Sequence, residues 1–169
     1  MTTQSRPPAT ALLRARVRAA LLYRATPSLG TRPPDGLAAL NAFVPPKERR
    51  GLVFIDPPFE STDEFALAGD TLNSALRKWS TGIYAFWYPI KGRSQISKFR
   101  RMLVEEAPTF CTEFLAYAKT QDGLTGSGLV VFNPPWQFDK DVNAICRALV
   151  PIFEDSGSGF STDWWTRPH

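Results

Sequence analysis

Histidine is nearly missing from this chain: the single one, His169, is the last of 169 residues. The two cysteines, Cys111 and Cys146, lie far apart and in no metal-ligand spacing. Zinc sites of the Cys/His kind, and Ser-His or Cys-His nucleophilic catalysis, are therefore set aside, and no metal is expected. No apolar run reaches the roughly 18–20 residues that cross a bilayer. With so little cysteine and no secretory apolar segment, a reducing cytoplasm and no membrane partner are expected. Acidic residues are also missing, locally. Residues 1–34 contain Arg6, Arg14, Arg16, Arg18, Arg24 and Arg32 but no Asp or Glu.

What is present is ordinary for a globular domain: 43% hydrophobic and 21% charged residues, enough for a real core. The net charge of +4 and pI near 9.3 are compatible with a nucleic-acid partner without requiring one. Residues 1–34 stand apart. Pro7, Pro8, Pro27, Pro33 and Pro34 break them up, around one Arg-rich stretch, Ala9 to Ala25, of helical potential. Three readings fit: a basic arm on nucleic acid, an organelle transit peptide, or a poorly ordered piece unrelated to the rest. The remainder, residues 35–169, reads as one domain.

In that domain a helix is predicted over Leu37 to Phe43, with Asp35 as its N-cap and Pro45-Pro46 as its stop. Leu52 to Ile55 is a short apolar run predicted as a strand buried on both faces. Helical spacing returns from Thr62 to Trp79, through Phe65, Ala68, Leu72, Ala75, Leu76 and Trp79. Gly82 to Ile90 is an aromatic, β-rich strand. A helix over Ser94 to Glu106 turns Ile96, Phe99 and Leu103 inward. Strands follow over Thr109 to Tyr117 and Gly128 to Asn133, joined by a polar loop. A last helix, Gln137 to Val150, is expected to bury Phe138, Val142, Ile145 and Leu149. Trp164 and Trp165 serve as anchors or as a last short strand. Alternating strands and helices imply a parallel α/β sheet, and two strands with no helix between them imply an antiparallel one.

The most informative stretch is Asp56-Pro57-Pro58-Phe59, directly after the first strand. Proline cannot continue a sheet ladder, so the strand must stop at Asp56. That puts a carboxylate, two rigid carbonyls and a ring at the carboxyl end of a strand, where open α/β sheets bind ligands. Asp56 and the Pro57 carbonyl can accept hydrogen bonds from an exocyclic amine, and Phe59 offers a face for the base that carries it. The plain alternative is a turn and nothing more. The chain holds a second copy of the pattern, Asn133-Pro134-Pro135-Trp136. Asn133 cannot take up a proton, and this copy is read as a strand-to-helix turn, with Asn133 bonding backbone and Trp136 packing.

Three segments, Leu52 to Glu60 (LVFIDPPFE), Thr81 to Ile90 (TGIYAFWYPI) and Gly126 to Trp136 (GSGLVVFNPPW), resemble the carboxyl half of the bacterial ribosomal RNA large subunit methyltransferase J family. The likeness runs from about Asp35 to the end, roughly four-fifths of the chain. It implies a partial Rossmann-like, S-adenosyl-L-methionine-dependent methyltransferase sheet of parallel strands with a terminal antiparallel strand, lacking its amino-terminal half. It implies methylation of the exocyclic N6 amine of a single adenine in 23S rRNA, in protein-free or partly assembled RNA. Asp56 matches the catalytic acid, and Pro57, Pro58 and Phe59 the residues that hold the base. Asp35 and Gly36, with Asp56, match residues that contact the cofactor. Phe59 stands where the family has Tyr, keeping the ring and losing a hydroxyl. The family's His-rich start and glycine loop have no counterpart in residues 1–34, whose only glycine is Gly30. On this reading that segment is a truncated or frame-shifted start. The rival is a catalytically inactive remnant that binds RNA or a partner. A DNA adenine methyltransferase would share the Asp-Pro-Pro motif, but TGIYAFWYPI favours the rRNA family. Missing strands would leave the sheet edge beside Asp56 unpaired and apolar, a place for self-association or for a partner.

Overall fold

The computed structural model describes residues 36–59, 63–91, 93–103, 107–116, 124–153 and 157–168. Residues 1–34 and Asp35, and the expectations attached to them, lie outside the described residues. The elements in order are α1 (Gly36–Phe43), β1 (Leu52–Ile55), α2 (Glu64–Lys78), β2 (Ile83–Ile90), α3 (Arg93–Met102), β3 (Thr109–Leu115), β4 (Gly126–Phe132), α4 (Phe138–Leu149), a 3-10 turn (Val150–Ile152) and β5 (Gly159–Thr166).

The five strands form one sheet in the order β1-β2-β4-β3-β5. β1 and β2 are parallel, from Leu52 against Ile83 to Ile55 against Phe86. β4 runs antiparallel to both β2 and β3, and β5 antiparallel to β3. The expected mixed α/β sheet is thus present, with two reversed strands in place of one. β5 is a full eight-residue strand at one edge. Its pattern alternates: Phe160, Thr162 and Trp164 against Ser161 and Asp163. The adjacent pair Trp164-Trp165 hides that period in the sequence.

One face of the sheet carries the main core. Tyr84, Phe86 and Tyr88 of β2, Val130 and Phe132 of β4, and Cys111 of β3 meet Phe65, Leu72 and Leu76 of α2 and Phe99 of α3. Phe99 stacks on Phe86 with ring centres 4.7 Å apart. The Tyr84 hydroxyl is buried and donates to carbonyls at the end of α2, Ala75 at 3.0 Å and Trp79 at 3.1 Å. Gly128 is required by close approach: the Tyr88 ring lies where its Cβ would be.

The opposite face is only half covered. α4 lies over β3 and β5, where Phe138 meets Phe110 edge-on at 5.9 Å and the Thr162 hydroxyl donates to Asn143 Oδ1 at 3.4 Å. Two expectations need correction. The first is that β1 is buried on both faces. Leu52 is 38% and Phe54 42% exposed, because β1 is an edge strand and no described helix covers its second face. The second concerns α4, which buries Cys146 and turns Ile145 (57% exposed) and Leu149 to solvent. Its inward stripe runs through Phe138, Val142, Asn143 and Cys146, one position away from the most apolar line.

Candidate active site at the end of the first strand

β1 ends at Ile55, opposite Phe86, while β2 continues to Ile90. The chain therefore leaves the sheet at Asp56, beside a strand that goes on. Asp56 is exposed, and among the described residues its carboxylate has no hydrogen-bond or ion-pair partner. Pro57 is half-buried and Pro58 exposed. Phe59 has φ of 54°, in the left-handed region, where a bulky residue is an outlier costing about 1–3 kcal/mol. Packing holds it there. Its half-buried ring meets Phe65 at 5.2 Å and Phe86 and Trp87 at 6.0 Å each. The sequence reading gives Trp87 no role. The signal was available in the register, since Trp87 lies one residue past the partner of Ile55.

The four residues Asp56 to Phe59 thus form a corner with a free acid on the outside and an anchored ring on the inside. Gly36 is the first residue of α1, whose Leu37 and Leu40 enter the core. No hydrogen bond among the described residues ties Gly36 to Asp56, and Asp35 is outside them.

The second copy of the motif sits at the other end of the sheet. Phe132 pairs with Tyr84 near the start of β2, so Asn133 follows at the amino ends of the parallel strands. Its side-chain amide donates to the Ser80 and Gly82 carbonyls, both at 2.8 Å, and its backbone N–H donates to the Pro108 carbonyl at 2.8 Å. The expected backbone-bonding turn is present. The expected packing of Trp136 is not, for its ring is 86% exposed.

A cleft of about 200 Å³ lies elsewhere, between α3 and strands β3 and β5. Its charges are already matched. Arg100 pairs with Asp163 at 3.1 Å and lies over the Trp165 ring at 5.2 Å, while Glu113 accepts from the Tyr88 hydroxyl at 2.9 Å. Burial pushes the Cys111 thiol up to about 12, so it is not a nucleophile at neutral pH. Burial drives the Tyr88 hydroxyl well above the ordinary phenol range. The cleft is a packed polar corner. Among the described residues no group of three or more His, Cys, Asp or Glu is placed to hold a metal, and no helix is long and apolar enough to cross a membrane.

The mixed α/β sheet carries an acid and two prolines at the carboxyl end of a parallel strand, the position at which open α/β sheets take ligands. The family model described as ribosomal RNA large subunit methyltransferase D, RlmJ, matches residues 6–166. The chain belongs to that family. The match begins well before Asp35, where the likeness of motifs begins. Two curated proteins named ribosomal RNA large subunit methyltransferase J are similar. The Haemophilus influenzae one is 35% identical over 137 residues, which is 79% of this chain and 49% of the relative. The Escherichia coli one is 34% identical over 140 residues, with the same coverage of 79% and 49%. A crystal structure of a Legionella pneumophila protein matches with TM-score 0.71 and 31% identity, over 77% of this chain and 49% of that one. The chain spans about half the length of the curated relatives it matches.

Proposed function

We propose that the Asp56 corner holds an adenine of 23S rRNA by its N6 amine, for methylation by S-adenosyl-L-methionine. The observation that carries this reading is the unpartnered Asp56 carboxylate, exposed beside the anchored ring of Phe59 at the end of β1. The family match and the printed names of the relatives support it.

The chemistry needs such a group. The lone pair of an exocyclic amine is delocalised into its ring and is a poor nucleophile. Hydrogen bonds from the amine to Asp56 and to the Pro57 carbonyl favour a more pyramidal nitrogen, with its lone pair free to attack. As the nitrogen would take the methyl group, the donor's carbon–sulfur bond would break to leave a neutral thioether, and the Asp56 carboxylate would accept the proton that the nitrogen gives up. Pro57 and Pro58 hold those acceptors rigid, which supplies part of the orientation that catalysis requires. A base must leave its stack to reach them, and the ring of Phe59 receives it. An rRNA substrate places the protein in the cytoplasm.

The fit to the methyl donor is incomplete. Asp56 and Gly36 are the described residues assigned to it, Asp35 lies outside the description, and no glycine loop stands at a described strand end. The base side of the site fits, while the described residues alone do not cradle the donor. The second reading is an inactive remnant that binds RNA or a partner. Calorimetry of the folded chain with S-adenosyl-L-methionine separates the two. Saturable binding, with transfer of a labelled methyl to 23S rRNA recovered as N6-methyladenosine, supports the first. No binding by a folded sample supports the second.

A further inference from the structure

Two basic stretches far apart in sequence end at the same place. The turn Lys47-Glu48-Arg49-Arg50 leads into β1, and α2 finishes on Arg77-Lys78 shortly before β2. β1 and β2 are parallel and in register from Leu52 against Ile83, so the segments that precede them meet at their amino ends. Contacts fasten the two together. The Trp79 indole N–H and the Thr81 hydroxyl donate to the Arg49 carbonyl, at 3.3 and 2.5 Å. Gly51 lies against the Trp79 ring, which a Cβ there would meet at 2.9 Å. The Lys78 ammonium donates to Asn41 of α1, 3.4 Å from its carbonyl and from its Oδ1.

Lys47, Arg49, Arg50, Arg77 and Lys78 are all exposed. Glu48 is the one carboxylate in these two stretches, and among the described residues none of the five cations is ion-paired. Cations in the last turn of a helix complement its dipole. That accounts for Arg77 and Lys78, but not for Lys47, Arg49 and Arg50, which stand on a turn. Residues 1–34, outside the description, contain no Asp or Glu and so bring no carboxylate to offset this charge. We propose that this end of the sheet is a second RNA-binding surface, taking backbone phosphates about 20 Å from the Asp56 corner, six steps of about 3.3 Å along β1. Exposed arginines and lysines on a fixed turn suit phosphates, whose contacts position an RNA without reading its sequence. A large folded RNA spans both ends, so this surface holds the substrate while the corner takes one base. The choice of RNA rests on the proposed rRNA substrate; the surface itself needs no transfer of a methyl group.

The test measures filter binding of the full chain to 23S rRNA transcribed in vitro, over a series of KCl concentrations. The double variant Arg49→Glu with Arg50→Glu should bind about ten-fold or more weakly at about 0.1 M salt, with a salt dependence flatter by about two units of slope. Arg77→Glu with Lys78→Glu, made separately, should do the same. Arg49→Lys with Arg50→Lys keeps the charge and should stay within about three-fold of the unaltered chain. Lys98→Glu, an exposed cation on α3, should stay within about two-fold. Circular dichroism of each variant checks that it is folded. Three results overturn the proposal: a folded chain that does not bind the RNA; reversals that weaken binding no more than Lys98→Glu does; or reversals that release the chain from phosphatidylserine vesicles and leave RNA binding unchanged. RNA binding that the reversals weaken, in a chain that transfers no methyl group, leaves this inference standing and counts against the proposed reaction.

Discussion

Two corners of this molecule share a formula and differ in what they do with it. Asp56-Pro57-Pro58-Phe59 and Asn133-Pro134-Pro135-Trp136 each end a strand with a polar side chain, two prolines and an aromatic. Each contains a residue of positive φ, Phe59 at 54° and Asn133 at 51°. They flank β2 from its two sides, Asp56 level with Trp87 and Asn133 level with Ile83, roughly 13 Å apart along it at about 3.3 Å per residue. In the first corner the ring is anchored by packing, and the polar group has no partner among the described residues. In the second the polar group is spent, with two carbonyls bound to its amide, and the ring is free. A motif is read correctly only when the hydrogen bonds of its polar member are counted.

Exchanging the polar members breaks the comparison most directly. Asp56→Asn keeps an acceptor for the amine but cannot take its proton. On the proposed function, methyl transfer to 23S rRNA should fall by about 10²–10⁴-fold. Stability should change by less than about 0.5 kcal/mol, since no described partner is lost. The reverse exchange, Asn133→Asp, removes two donors and sets a carboxylate against the Ser80 and Gly82 carbonyls. Stability should fall by about 2–4 kcal/mol in urea titrations, and by less for Asn133→Ala, which brings no charge. If Asn133→Asp proves harmless while Asp56→Asn unfolds the chain, the roles are assigned the wrong way round.

These comparisons hold only where the core between the corners does not titrate. Burial pushes Tyr84 from 10.0 up to about 12 and Cys111 from 9.0 up to about 12. The unfolded chain releases those protons near their ordinary values, while the folded chain keeps them until about 12. Their contribution to stability is therefore complete below about pH 9 and lost as the pH rises towards 12. Each group contributes a slope of up to about 1.4 kcal/mol per pH unit. Urea midpoints that stay flat between pH 7 and 9 and then fall steeply would agree. A fall that begins below pH 8 would point to some other group.

Much of this was legible in the sequence, for local reasons. Element order followed from apolar period and proline stops. Asp56 was legible as a strand-end acid because Pro57 and Pro58 forbid continuation, and Asn133 as a turn because Asn competes well for backbone carbonyls. What escaped was non-local. Leu52 and Phe54 read as buried because their type is apolar, but burial depends on what lies beside the strand. Ile145 and Leu149 read as inward because they are the most apolar line of α4. Thr162 and Thr112 instead meet Asn143 and Cys146. The left-handed backbone of Phe59 had no local signal, since three distant rings hold it there.

The aromatic members give the smallest and most selective comparison. Phe59→Ala removes a ring packed on Phe65, Phe86 and Trp87 and keeps the unfavourable φ, so a loss of about 1–3 kcal/mol is expected. Phe59→Gly loses the same contacts but relieves the backbone. It should be less harmful than Ala by roughly 1 kcal/mol, the reverse of the usual order in a folded chain. Trp136→Ala removes a larger ring but a solvated one, and should change stability by less than about 0.5 kcal/mol. Thermal melts of the three variants are enough to decide. If Gly is worse than Ala at position 59, the positive φ is not what the ring is being held against, and the corner is less constrained than its geometry indicates.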